Sequence, residues 1–196
     1  MSRTTRKLSL FVTLVVLFAV SFTQVGFAAT ILDEVRGENG MVAAASPLAA
    51  QIGVDILKAG GNAVDAAVAT AFAIGVAEPN ASGLGGEGFI VIYLPESDRA
   101  VSIDYRSAAP AASVDDLVGK KMPNTSWKSV AVPGTVAGLS KALEKYGTMS
   151  LAEVLEPSIR LAEEGFPISE TLVGVIESNY EKILANPAMA EVYLDD

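Results

Sequence analysis

Two hydrophobic periods run along this chain, and they divide it into helical and extended stretches. Over residues 47–58, Leu48, Ile52 and Ile56 recur every four positions behind Ser46-Pro47, an N-cap followed by a proline at the first helical position. Gly60-Gly61 predicts the stop after Lys58. A second helix should start at once, with Asn62 as its cap and Asp65 at the third position in a capping-box arrangement. Val64, Val68 and Phe72 form its stripe, and Ala63, Ala66, Ala67, Ala69, Ala71 and Ala73 fill the other faces, so most of its surface should be buried. From Gly88 the pattern shortens to two apolar runs, 89–94 and 100–105, around Pro95-Glu96-Ser97-Asp98, which predicts an antiparallel hairpin. Residues 108–124 read as loop with one short helix near Asp115, and helices resume over 135–146, from Ser150-Leu151-Ala152-Glu153 to about 164, and over 169–185. Pro157 falls inside the second of these and implies a kink. Helices on both sides of one hairpin predict a layered α+β, αββα-type fold whose sheet is incomplete, because two strands do not make a stable sheet alone.

The first 28 residues follow neither period. Arg3, Arg6 and Lys7 form a basic start, residues 8–22 are apolar, and Gly26, Ala28 and Ala29 are small, the three parts of a secretory signal peptide cut after Ala28. The apolar run is shorter than the ~20 residues a spanning helix needs, so no stable membrane span is expected after cleavage. The protein should be exported, to the periplasm or the outside, with a tail over 29–39 and one incomplete domain over 40–196. Losing three positive charges takes the formal charge from −9 to −12, which disfavours nucleic acid and anionic membranes as partners. Cysteine and histidine are both absent, which removes disulfides, thiolate nucleophiles, Cys/His zinc sites and a Ser-His-Asp triad. No Asp-rich loop has metal-ligand spacing, and no cofactor is implied.

Three segments remain as candidates for function. Ser82-Gly83-Leu84-Gly85-Gly86-Glu87-Gly88 follows a helix and precedes a strand, the reverse of a phosphate loop, so its glycines are expected to serve positive φ or close approach. Arg106 leaves the second strand behind Asp104-Tyr105, and its planar fork suits a carboxylate ligand. By residue type alone a structural ion pair, with Asp104 or a distant acid, outweighs that role. Cleavage one residue later would expose Thr30, whose own amine can act as base, but Phe27 would then occupy a position that prefers a small residue.

The order of several motifs closely resembles the start of the γ-glutamyltranspeptidase large subunit. These are Gly37-Glu38-Asn39-Gly40-Met41-Val42, the run over 53–69 containing Gly60-Gly61-Asn62-Ala63-Val64-Asp65, Gly83-Leu84-Gly85-Gly86, Ile103-Asp104-Tyr105-Arg106, Ala109-Pro110-Ala111, Pro133-Gly134-Thr135-Val136-Ala137-Gly138 and Lys145-Tyr146-Gly147-Thr148-Met149. The resemblance implies an N-terminal-nucleophile hydrolase, two sheets between helical layers, made as a precursor that cuts itself into large and small subunits. It implies a γ-glutamyl transfer from glutathione or related compounds to water or to amino-acid or peptide acceptors, through the N-terminal threonine of the small subunit. Arg106 matches the family's arginine for the α-carboxylate of the γ-glutamyl group. Ser107 follows it where the family often has an acid, and Glu87 stands where many members have glycine. No catalytic residue is expected within this chain, which ends at Asp196 part-way through the large subunit, so by itself it should be inactive. The expected partners are the rest of the large subunit and the catalytic small subunit. Related β-lactam acylases and polyglutamate transpeptidases, or a truncated non-catalytic exported protein, are the alternatives.

Overall fold

The computed structural model describes residues 35–109 and 129–194. The chain divides into two units, Met1–Glu38 and Asn39–Asp196. Of the first, the described residues 35–38 are exposed and lie outside any helix or strand. The predicted leader, its cleavage point, Thr30 and the short helix near Asp115 lie outside the described residues.

The second unit is built around one helix. Helix α1 (Pro47–Lys58) begins where the Ser46 hydroxyl accepts from the Ala49 N–H, and ends at Ala59, just before Gly60, whose φ of +96° suits glycine. Helix α2 (Ala63–Ala77) follows after a break of four residues. Its capping box is complete: Asn62 Oδ1 accepts from the Val64 and Asp65 N–H groups, and the Asp65 carboxylate accepts from the Asn62 N–H at 2.7 Å. Val64, Val68 and Phe72 are buried as their spacing predicts, and so are Ala66, Ala69, Ala73 and Ala77, while Ala63 and Ala67 face outward. An alanine-rich helix lets its neighbours approach closely, and α2 packs against α1 and against helices α3 (Thr135–Tyr146) and α4 (Leu151–Glu164). Helix α4 has the expected capping box at Ser150 and Glu153 and runs unbroken through Pro157.

Strands β1 (Phe89–Leu94) and β2 (Arg99–Asp104) form the predicted hairpin across a single 3₁₀ turn at Pro95–Ser97, with Asp98 left-handed at φ 49°. The second strand starts and ends one residue earlier than expected, and the register pairs Phe89 with Asp104 and Leu94 with Arg99. Ile90, Ile92, Leu94, Val101 and Ile103 turn toward the helical core, where Leu139, Leu143 and Val154 are buried. Phe89, Val91 and Tyr93 stand exposed on the other face. The helix expected over 169–185 is instead two, α5 (Glu170–Ser178) and α6 (Tyr180–Leu184), and a further helix, α7 (Pro187–Tyr193), follows. The break falls at Asn179, whose side-chain amide donates to the Val175 carbonyl and offers the backbone a local alternative to helix.

Candidate functional site

The glycine-rich segment, the end of β2 and the start of α3 meet at one edge of the hairpin. The antiparallel register, carried two residues past Phe89 and Asp104, sets Glu87 opposite Arg106 and Gly88 opposite Tyr105. The Tyr105 N–H donates to the Gly88 carbonyl at 3.0 Å, so the ladder continues to this point. Helix α3 has no side-chain cap, and its first orphan donors, the N–H groups of Gly134 and Thr135, both reach the Gly86 carbonyl, at 3.1 and 3.2 Å. The two residues flanking Glu87 are therefore tied by backbone bonds to different elements.

Tyr105 fixes the other side. A methyl group on Gly138 would overlap the Tyr105 ring, and one on Gly134 would overlap its carbonyl oxygen. The two glycines, one helical turn apart, let α3 lie directly on the strand end. Beyond Arg106 the Val132 N–H donates to the Ala108 carbonyl at 3.0 Å in an isolated antiparallel bridge. The turn that carries Arg106 is thus held on both flanks.

Arg106 makes the ion pair that residue type favours, and of the two partners considered, Asp104 or a distant acid, it is the distant Glu87 that takes it. One terminal guanidinium nitrogen lies 2.8 Å from Glu87 Oε1, and the Arg106 side chain is still 57% exposed. Glu87 Oε2 accepts from the Ser107 N–H at 2.8 Å and also from the Ser107 hydroxyl. Asp104 acts locally, accepting from the Arg106 N–H at 2.9 Å. The guanidinium carbon lies 5.9 Å from the centroid of the Phe89 ring, in cation–π range. The Ser107 hydroxyl and N–H hold the Glu87 carboxyl below the ordinary carboxylate value, outweighing the opposing effect of burial, and the Arg106 charge adds a lesser contribution in the same direction. Burial pushes the Tyr105 phenol up.

Chemically, the arrangement is a cationic fork on a rigid turn, half open to solvent, fit to bind a small carboxylate. Gly83 has φ +156° and lies in the turn closed by Gly86 N–H to Gly83 O, so that loop shapes backbone and presents no phosphate cradle before a helix. Among the described residues no group of three or more acidic side chains gathers as metal ligands, and no helix is long and apolar enough to cross a membrane. The partnership of Glu87 with Arg106 was not foreseen from sequence. Its signal was a pair of departures from the family pattern, an acid gained at 87 and an acid replaced by Ser107.

Comparison with known proteins gives one consistent answer. Residues 49–196 match the family model described as gamma-glutamyltranspeptidase. The chain is 46% identical over 166 residues to the glutathione hydrolase proenzyme of Bacillus subtilis (strain 168), covering 81% of this chain and 28% of that protein. It is 41% identical over 171 residues to the acylase ACY 1 proenzyme of Pseudomonas sp. (strain V22), covering 81% of this chain and 30% of that protein. Among solved structures, the γ-glutamyltranspeptidase of Helicobacter pylori superposes with a TM-score of 0.76 at 34% identity, over 83% of this chain and 48% of that one. The chain thus spans less than a third of the length of these curated relatives. The structural likeness bears out the expected fold class, a portion of the α+β fold of the N-terminal-nucleophile hydrolases.

Proposed function

This chain belongs to the γ-glutamyltranspeptidase family, and from that premise we propose that it works as the N-terminal part of the large subunit of an exported glutathione hydrolase. In this reading residues 1–28 are the leader, 29–39 a tail, and 40–196 the portion of the large subunit that lends Arg106 to the donor site. The donor is glutathione or another γ-glutamyl compound, and its α-carboxylate sits on the Arg106 fork. The nucleophilic threonine belongs to a small subunit that this segment does not supply. Its hydroxyl attacks the γ-amide carbonyl, the amine leaves with a proton, and the resulting γ-glutamyl ester passes to water or to an acceptor amine. Hydrolysis of glutathione is favoured over the acylase alternative by the higher identity to the glutathione hydrolase.

The observation that carries the proposal is the geometry of Arg106: a guanidinium engaged at one nitrogen among the described residues, with its side chain 57% exposed, on a turn held by a backbone hydrogen bond on either flank. Arg106→Ala in the complete proenzyme tests it. Hydrogen bonds to charged groups contribute about 1.5–3 kcal/mol, so kcat/KM for a γ-glutamyl donor should fall roughly 10- to 150-fold. Arg106→Lys should fall between that and wild type, because lysine keeps the charge and loses the paired N–H geometry. Self-cleavage into subunits, which needs no donor, should continue. Normal maturation with unchanged kcat/KM in Arg106→Ala would return Arg106 to a structural role.

A further inference from the structure

We propose that Glu87 is the positioning residue of this site: it holds the Arg106 guanidinium from one side and so sets how tightly a donor with an α-carboxylate is bound. This rests on the reading of Arg106 as the donor anchor. An arginine on a surface turn samples many rotamers, and a ligand that needs one of them must bear the cost of selecting it. Three features of the structure remove much of that cost beforehand.

First, Glu87 cannot move freely. The Gly86 carbonyl before it is bound by two N–H groups at the start of α3, and the Gly88 carbonyl after it is bound by Tyr105. Second, both of its carboxylate oxygens are in use. Oε1 takes the guanidinium at 2.8 Å, while Oε2 takes the backbone and hydroxyl of Ser107, so one side chain aligns both the tip of Arg106 and the turn from which it grows. Third, the Phe89 ring supports the guanidinium plane at 5.9 Å. The other guanidinium nitrogens have no partner among the described residues, which leaves donors for a ligand's carboxylate. A glutamate that merely competed with the ligand would have no reason to spend one oxygen on Ser107.

The geometry also shows where else the brace can come from. The Ser107 side chain reaches the Glu87 carboxylate across the hairpin edge, so an acid placed at 107 enters the same space from the opposite side.

The test uses the complete proenzyme and two donors: L-γ-glutamyl anilide, and 4-aminobutyryl anilide, the same molecule without its α-carboxylate. In Glu87→Gly, KM for the carboxylated donor should rise about 3- to 10-fold with kcat nearly unchanged, as expected for loss of an exposed brace. The decarboxylated donor should be unaffected. Glu87→Gly combined with Ser107→Glu should restore most of the lost affinity, a rescue that a purely structural role for Glu87 would not give. Subunit maturation reports folding, and if Glu87→Gly fails to mature, Glu87→Gln takes its place with a smaller selective rise. An unchanged KM, a lowered KM, or equal losses on both donors would overturn the positioning role while Arg106→Ala remained selectively impaired. If Arg106→Ala itself showed no selective loss, the anchor reading would fail, and the role of Glu87 with it.

Discussion

Asp65 offers the sharpest test of how this fold is held. The residue has no exposed surface and no cation partner among the described residues, yet it sits at the third position of α2, where the helix dipole favours negative charge. Its carboxylate closes the capping box on Asn62 at 2.7 Å. It also accepts from the Thr148 N–H at 2.9 Å, the Thr148 hydroxyl at 2.6 Å and the Met149 N–H at 3.1 Å, in the connection between α3 and α4. Asn62 adds a bond in the same direction, donating its side-chain amide to the Tyr146 carbonyl at 2.7 Å. Asp65→Ala would leave three backbone N–H groups and a hydroxyl without their acceptor. Individual losses of this kind cost about 1–3 kcal/mol and do not add fully, so the variant should lose about 3–5 kcal/mol. Asp65→Asn, which keeps one acceptor but turns an amide toward a donor, should lose about 2–3 kcal/mol. Burial pushes the Asp65 carboxyl up, but the bonds from the Thr148 hydroxyl and from Asn62, Met149 and Thr148 outweigh it, and the net value lies below the ordinary 3.8. A depressed folded pKa stabilises fully above the unfolded value of about 3.9 and is lost as pH falls through the folded one. Urea unfolding of the complete protein, followed by circular dichroism, should therefore show the largest gap between wild type and Asp65→Asn near neutral pH. The gap should shrink below about pH 4. A loss under about 1 kcal/mol in Asp65→Ala, or a gap that does not change on acidification, would refute the argument.

Three further outcomes are expected. Gly138→Ala should push on the Tyr105 ring, costing about 1–3 kcal/mol and raising KM for carboxylate-bearing donors through the neighbouring Arg106, whereas Gly174→Ala in α5, where a methyl meets no atom within 4 Å, should stabilise by about 0.5–1 kcal/mol in thermal unfolding. N-terminal sequencing of exported protein should begin at Ala29, and an intact Met1 in a membrane fraction would refute the leader assignment.

Local chemistry carried most of the element map. Ser46-Pro47, Asn62 with Asp65, and Ser150 with Glu153 are short-range devices in which a side chain satisfies N–H groups two or three residues away, and each starts a helix where it stands in the chain. The hairpin was equally legible, because Pro95-Glu96-Ser97-Asp98 separates two apolar runs. Asn186-Pro187 was a readable start signal for α7 that the longer helical pattern before it concealed, and the Asn186 side chain does accept from the Met189 N–H. The order of motifs identified Arg106 as a candidate, through family resemblance and not through any property of an isolated arginine. What no local pattern held was the pairing of residues far apart in the chain. Asp65 reads as half of a capping box, and only the packing of α2 against α4 brings Thr148 and Met149 onto its carboxylate. All six residues of β1 are apolar, so alternation does not say which face is covered, and the answer came from the helical core toward which Ile90, Ile92 and Leu94 turn. Glu87 meets Arg106 because the strand register sets them opposite, and a slip of one residue would turn every side chain of β1 to the other face and break the pair. Sequence thus determined the elements, where the physics acts over a few residues, while tertiary structure decided the site, where burial and register join groups that the chain keeps apart.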